Sequence, residues 1–344
     1  MIRRRVLLSA VATGLVMLTR QAGAQRWGSA AGWGNYLQTG ILPFNPNIDL
    51  NFATGIYFGV SGSPTSFLTT ARATVGMAVD SGGNWTSFAA NQPRITNLGL
   101  LVEEARTNLF LNSQAPATQT ITVANGSVYT VSVYGNATLT LSGAATGTVT
   151  QGNPLTFTAS TTSLTVTVSG AGGSFQNAQV ELGAWATSPI VTAGASATRA
   201  IDDVRLTKVP TIGASYSFTV WGIPQSPPAD AANQIAAGVS DGTQNNVACL
   251  YRQATTGFGN VFNNATGGTA ANFSWLGQLN TFPLLAQNAL VKGAETLTGA
   301  SGLNAFTIGM LPAPASASWN GLVTRVALWP TTPLSGAQLQ AITT

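Results

Sequence analysis

The sequence predicts an almost all-β protein made of tandem antiparallel β-sandwiches with a short C-terminal helix. Runs in which every second residue is apolar indicate half-buried strands, and such runs recur along most of the chain. Clusters of Gly, Asn and Pro separate the runs, as turns separate antiparallel strands, and Gly alone accounts for 38 of the 344 residues. The β-branched and aromatic residues found throughout exclude a disordered chain, although only 7% of the residues are charged.

Residues 1–24 have the three parts of a secretory signal peptide. Arg3 to Arg5 are positive, Val6 to Leu18 are mostly apolar, and Ala22-Gly23-Ala24 resembles a cleavage site. The apolar stretch is short for a membrane span, so we expect cleavage before Gln25 and no membrane contact afterwards. A retained anchor or a misassigned start is the alternative. The segment favours an extracellular, secreted protein.

Charge and composition exclude several classes of protein. The net charge is +4, but four arginines lie in the first 24 residues, and the remaining ten basic residues balance ten acidic ones. A nucleic-acid binder would need a basic stripe on its folded part, so no nucleic-acid partner is expected. The chain has no His, which excludes Ser-His-Asp chemistry and His-ligated metals. Its single cysteine, Cys249, lies in an apolar run and is predicted to be buried.

Residues 25–48 show no clear hydrophobic period and are predicted to form an extended leader.

Residues 49–113 contain four distinctive short sequence motifs, which we call steps. Arg72-Ala73-Thr74 lies in a predicted strand, and Asp80 to Asn84 has the residues of a hairpin turn, with a calcium loop as the alternative. Asn91-Gln92-Pro93-Arg94 follows, and Gly99 to Leu109 forms a further strand segment. The charged residues of the last two steps predict a structural ion-pair group that joins this segment to the next: Arg94, Glu103, Glu104 and Arg106.

Residues 114–203 show the clearest alternation. Apolar residues two positions apart predict a half-buried antiparallel sheet and therefore a sandwich: Ile121, Val123, Tyr129, Val131, Val133, Leu139, Leu141, Leu155, Phe157, Leu164, Val166 and Val168.

Residues 204–344 are predicted to form a third module. The strand candidates are Tyr216 to Ile223, Ile235 to Val239, Val247 to Arg252, Gly259 to Asn263, Ala305 to Met310 and Gly321 to Trp329. A short helix is expected to follow, because Ser335 and Gln338 have the spacing of a capping box and Leu334 and Leu339 that of a hydrophobic staple.

The four steps of residues 49–113 resemble a segment of phage tail-fibre, head-spike and related minor structural proteins. There the same steps precede lectin-like β-sandwiches, and Ala197-Thr198-Arg199-Ala200-Ile201-Asp202 resembles the link to the next domain. Residues 178–190 resemble the last strand of carbohydrate-binding jelly rolls, and Trp319 to Trp329 resembles the end of concanavalin A-like, laminin G-like sandwiches. The resemblance implies a virion-associated protein with surface glycans and other particle proteins as partners. It also allows a homo-trimer, as in many fibre proteins.

The acidic residues give little support for an enzyme. Glycoside hydrolysis needs two carboxylates facing each other across a sugar, but the adjacent pairs Glu103-Glu104 and Asp202-Asp203 would point to opposite faces of a strand. A polysaccharide depolymerase would therefore need a carboxylate pair assembled between modules. No cofactor is predicted; Asp241 to Asn246 offers oxygen ligands for Ca²⁺ but has the composition of an ordinary turn.

Sugar binding needs only an aromatic platform and a few fixed polar groups. Trp221 and Trp329 lie in apolar runs and are predicted to be core residues. The candidates for an exposed platform are Trp275, Trp319, Tyr251, Arg252 and Asn246.

The leading hypothesis is a non-catalytic, phage-type particle protein with glycan-binding sandwiches. A secreted bacterial lectin or adhesin is the first rival, because phage particles assemble in the cytoplasm and need no signal peptide. A depolymerase and a spacer without a ligand are the others.

Overall fold

The computed structural model describes most of the chain after residue 41. The described ranges are 42–173, 175–213, 216–225, 234–244, 246–253, 257–264, 290–293, 302–311, 318–332, 334–335 and 338. Residues 1–24, Trp275 and the side chain of Arg252 lie outside them. No helix within these ranges is long and apolar enough to cross a membrane.

The all-β fold class is confirmed: the described ranges form antiparallel strands, with one short helix at Pro64–Phe67. Of the predicted C-terminal helix only Leu334, Ser335 and Gln338 lie within these ranges. The elements of the first part are β1 Ile48–Asn51, β2 Ile56–Phe58, α1 Pro64–Phe67, β3 Leu68–Ala71, β4 Gly76–Val79, β5 Trp85–Phe88, β6 Arg94–Thr96 and β7 Gly99–Val102. The middle part contains β8 Arg106–Asn108, β9 Gln119–Thr122, β10 Val128–Tyr134, β11 Thr138–Gly143, β12 Gly147–Val149, β13 Leu155–Thr158, β14 Ser163–Ser169, β15 Asn177–Leu182 and β16 Ala197–Arg199. The last part contains β17 Asp203–Leu206, β18 Ser217–Pro224, β19 Gln234–Ser240, β20 Asn246–Gln253, β21 Gly257–Asn264, β22 Leu290–Gly293, β23 Ala305–Ile308 and β24 Gly321–Trp329.

Two sheets built from both ends of the chain form what we call the split sandwich. The seven-stranded sheet has the order β2-β1-β24-β18-β22, with β7 also beside β24 and β6 beside β7. The six-stranded sheet has the order β21-β20-β19-β23-β17-β3. A single apolar core lies between them, with Leu50, Phe218 and Val326 from the first sheet and Val204, Leu250 and Phe306 from the second.

Residues 106–199 form a second sandwich, which we call the middle sandwich. Its five-stranded sheet has the order β13-β10-β15-β8-β16, and its four-stranded sheet has the order β12-β11-β14-β9. The predicted alternation is confirmed, because every one of the apolar residues that define it lies in or against one core. Phe110 completes that core from the segment after β8.

The chain enters the split sandwich, leaves it for the middle sandwich, and returns. The sequence sets residues 49–113 apart from residues 204–344, but β1 and β7 pair with β24, and β3 pairs with β17. Strands from the two segments therefore share both sheets and one core.

The predicted hairpin turn at Asp80 is confirmed. It joins β4 to β5, and the Asp80 carboxylate accepts hydrogen bonds from the backbone N–H groups of Gly82 and Asn84. Gly83 has a φ of 82°, a conformation that glycine adopts without a steric cost. Apolar residues of the hairpin pack with Leu322 and Ile223 on the face of the seven-stranded sheet opposite the main core.

Strand β24 lies between β1 and β18 in the seven-stranded sheet of the split sandwich. All nine residues of β24 are buried, since both faces of this strand are covered.

The six strands predicted in residues 204–344 are present, and Cys249 and Trp329 are buried as predicted. The capping box is also confirmed, because Ser335 Oγ accepts the Gln338 N–H while Gln338 Oε1 accepts the Ser335 N–H. Leu339, the other half of the predicted staple, lies outside the described residues.

Candidate functional site

The structure does not assemble the predicted platform. Trp319 is fully buried in the core of the split sandwich, where its indole N–H donates to the Leu322 carbonyl at 3.0 Å. The expectation that Trp319 is exposed is therefore wrong: its ring fills the core instead of facing solvent. The side chains of Asn246 and Tyr251 lie on opposite faces of β20, because five positions separate them along one strand. Trp275 and the Arg252 side chain, as noted, lie outside the described residues.

The described carboxylates are engaged in contacts within the fold. Asp230 and Glu295 lie outside the described ranges, which leaves eight of the ten acidic residues. Each of the eight accepts a hydrogen bond or forms an ion pair: Asp49 with Arg325, Asp80 with Asn84, Glu103 with Arg94, Glu104 with Arg106, Glu181 with Thr187, Asp202 with Arg72, Asp203 with Arg205 and Asp241 with Thr243.

Five buried charged residues meet where the two sandwiches join, and we call this group the joint. Arg94 of β6 contacts Glu103 at 2.8 Å and also pairs with Asp202, while Arg72 contacts Asp202 at 2.7 Å. Arg199 of β16 lies 3.2 Å from Glu103. All five side chains are at most 1% exposed, so the charges are shielded from water and depend on one another.

Polar groups of the middle sandwich extend the joint. The Glu103 carboxylate accepts the Ser188 N–H at 2.8 Å and the Ser188 hydroxyl at 2.6 Å. Thr187 then donates its hydroxyl to Glu181 and accepts a hydrogen bond from Arg199 at 3.1 Å. A continuous chain of hydrogen bonds therefore runs from Arg72 in one sandwich to Glu181 in the other.

The two buried glutamates of this chain have opposite pKa shifts. Burial alone would raise the pKa of Glu103, but Arg199, Arg94 and the Ser188 hydrogen bonds outweigh it and lower the pKa to about 2. For Glu181 burial dominates and raises the pKa, although the Thr187 hydrogen bonds and Arg199 oppose the shift. Glu103 is thus held as a carboxylate, whereas the fold favours the protonated form of Glu181.

The joint contains only part of the predicted ion-pair group. Arg94 and Glu103 belong to it, but Glu104 and Arg106 form a separate, more exposed pair, and Arg106 also lies 5.0 Å from the centre of the Trp185 ring. Arg72, Arg199 and Asp202 were missed, because the sequence separates them widely from Glu103. Each of the three nevertheless lies within a distinctive motif of residues 49–113 or 197–202, and those motifs could have indicated them.

An aromatic contact lies between the same two sandwiches. Trp85 of the β4–β5 hairpin packs edge-on against Tyr134 of β10 with 5.0 Å between ring centres, and it stacks on Phe175 at 6.1 Å. Tyr134 donates its hydroxyl to the Thr187 carbonyl at 2.6 Å, which ties this aromatic group to the joint.

Tyr134 also lines a small depression in the middle sandwich. It is lined by Ser132, Val133, Tyr134, Thr150, Gly152, Pro154 and Ala186. Within the described residues no group of three or more His, Cys, Asp or Glu side chains is placed to hold a metal ion.

Comparisons with known proteins identify no family for this chain. No family model matches it, and neither a curated protein nor a solved structure does.

Proposed function

We propose that this chain is a non-catalytic structural component of a phage-type particle whose sandwiches bind surface glycans. The proposal combines the resemblance of its motifs to phage particle proteins with the role that the motif residues have in the fold. It covers two separable parts, a structural role in a particle and the binding of saccharides.

The observation that carries the proposal is the composition of the joint. Arg72, Arg94 and Glu103 come from three of the four steps found in residues 49–113, and Arg199 and Asp202 come from the linking motif. The residues that make these motifs distinctive therefore meet in one buried group that holds two sandwiches together. Such a joint suits a protein that must keep binding modules in a fixed arrangement.

The carboxylates support a holding role over a catalytic one. Glu103 and Asp202 are buried and saturated with arginine and backbone partners, so neither is placed to protonate a glycosidic oxygen. Glu181 is buried under Thr187 and Gln179. A depolymerase would need an acid and a base that face a cleft together.

A secreted lectin or adhesin is the second candidate. It is favoured by one observation, the signal-peptide-like composition of residues 1–24. The same sandwiches would then present a binding surface outside the cell instead of on a particle.

The binding part is tested by applying the full chain to an array of bacterial and animal surface glycans, with heat-denatured protein as the control. We expect binding by the native chain alone, and no release of reducing ends from the glycans that it binds. An empty array at high protein concentration would contradict glycan binding, and release of reducing ends would contradict a non-catalytic role.

A further inference from the structure

The depression beside Tyr134 is formed by three separate parts of the middle sandwich. Ser132 and Tyr134 lie on the face of β10 that points away from the core, because Val133 between them points into the core. Thr150, Gly152 and Pro154 come from the turn between β12 and β13. Ala186 comes from the segment that crosses the sheet after β15.

Two buried side chains on neighbouring strands of the five-stranded sheet have unmet hydrogen-bonding capacity among the described residues. Ser132 lines the depression and is 4% exposed, yet its hydroxyl has no partner there. On the adjacent strand, Asn177 is fully buried, and neither its side-chain oxygen nor its nitrogen has one. Asn177 lies directly opposite Tyr134 in the strand pairing. A buried polar group without a hydrogen-bond partner destabilises the fold, so a polar group that entered the depression and bonded to Ser132 would be favoured.

The size of the depression limits what can enter. It has room for a single hydroxyl group or one water molecule. A whole sugar ring must therefore remain at the rim. The half-buried ring of Trp85 packs against Tyr134, one of the lining residues, and stacks on Phe175; aromatic rings of this kind pack against the C–H groups of sugars.

We propose that the depression is a subsite for one hydroxyl group of a saccharide, with Ser132 as its hydrogen-bonding residue. This inference rests on the proposed glycan binding and locates it on the middle sandwich. A saccharide hydroxyl can donate to and accept from Ser132, as a water would in the unbound protein. The same site thus accepts water or a sugar hydroxyl, and the sugar displaces the water.

The test compares Ser132→Ala with Ser142→Ala on the glycan array. Ser142 is an exposed serine of β11 in the other sheet of the same sandwich, so its variant loses the same hydroxyl away from the depression. We expect Ser132→Ala to weaken binding to the array-positive glycans about tenfold and Ser142→Ala to leave it unchanged. Thr150→Leu, which adds bulk at the rim and removes one exposed hydrogen bond to Asn153, should weaken binding as Ser132→Ala does. Thr150→Leu also tests the subsite if the Ser132→Ala variant fails to fold.

The outcomes distinguish a depression that binds a saccharide hydroxyl from one that holds only a water molecule. If both variants at the depression bind as the unaltered chain does, the depression holds only a water, and the subsite is overturned while glycan binding stands. If the unaltered chain binds no glycan, the subsite and the proposed binding are overturned together.

Discussion

At the scale of single residues, the buried carboxylates show how partners decide the state of a charge. Glu103 faces Arg94 and Arg199 and accepts two hydrogen bonds from Ser188. Glu181 has Thr187 and Gln179 as its hydrogen-bond partners and no arginine in direct contact among the described ion pairs. Desolvation acts on both side chains, but only Glu103 has charged partners close enough to outweigh it.

Neutralising each glutamate should therefore give different results. Glu103→Gln leaves Arg94 and Arg199 without a buried counter-charge, and we expect the free energy of unfolding at pH 7 to fall by about 3 kcal/mol. Glu181→Gln leaves no arginine without a direct counter-charge and replaces one accepting oxygen with an NH2 group, so we expect a smaller loss than for Glu103→Gln. Urea unfolding of the two variants measures both values. Equal losses would contradict the assignment of Glu103 to the joint.

The dependence of stability on pH follows from the same shifts. The pKa of Glu103 falls from an ordinary value of 4.5 to about 2 in the fold, so its contribution is complete above pH 4.5 and is lost as the pH falls toward 2. Glu181 has a raised pKa, so its contribution has the opposite sign and is lost as the pH rises through that pKa. Unfolding between pH 2 and 7 should show an acid-side loss that Glu103→Gln reduces and Glu181→Gln leaves in place. An unchanged acid-side loss in Glu103→Gln would assign it to another group.

At the scale of secondary-structure elements, close backbone packing fixes the start of the split sandwich. Gly55 and Gly59 flank β2 and have φ angles of 71° and 77°. A Cβ at Gly59 would lie 1.8 Å from the Asn47 carbonyl oxygen, whereas a Cβ at Gly55 would meet no atom within 4 Å. A side chain at either position would be strained by the left-handed backbone, but only at Gly59 would it also collide with neighbouring atoms.

This difference predicts unequal costs for alanine. Gly55→Ala should cost about 1–2 kcal/mol, the penalty for a left-handed conformation alone. Gly59→Ala must also move the chain beside β1, so we expect a clearly larger loss in the free energy of unfolding. A loss at Gly59 no greater than that at Gly55 would contradict the packing of β2 against β1.

The strands themselves were predictable, but several of their partners were not. Alternation located β10 and β14 because every second side chain enters the core of the middle sandwich, whereas β24, which is buried on both faces, was recognised as an apolar run. Local pattern contains no information on pairing between distant segments. The contact of Asp49 with Arg325 beside the β1–β24 pair joins residues 276 positions apart, and a prediction of separate modules could not anticipate it.

The candidate site was predictable to a smaller extent. Arg94 and Glu103 were predicted to belong to one ion-pair group with Glu104 and Arg106, and these two do pair, since Arg94 begins β6 and Glu103 follows the neighbouring strand β7. Trp319 was misplaced because a loop rich in Ser, Ala and Pro reads as exposed, while the fold turns the indole inward to the Leu322 carbonyl. The depression at Ser132 depends on three chain segments and has no sequence signal of its own.

At the scale of the whole molecule, the two sandwiches differ in their independence. The core of the middle sandwich lies within residues 110–180, whereas the core of the split sandwich needs residues from both 48–102 and 204–328. We therefore expect a fragment of residues 104–200 to fold alone, with cooperative thermal unfolding by circular dichroism. A fragment of residues 204–344 lacks β1, β3 and β7 and should not fold cooperatively. A folded C-terminal fragment would contradict the shared sheets.

The central claim is that this chain belongs to a particle, and mass spectrometry of purified particles and of culture supernatant from the source strain tests it most directly. The proposal predicts peptides of this chain in the particles, with residues 1–24 still attached. Peptides found only in the supernatant and beginning at Gln25 would contradict it and would make the protein a secreted lectin or adhesin.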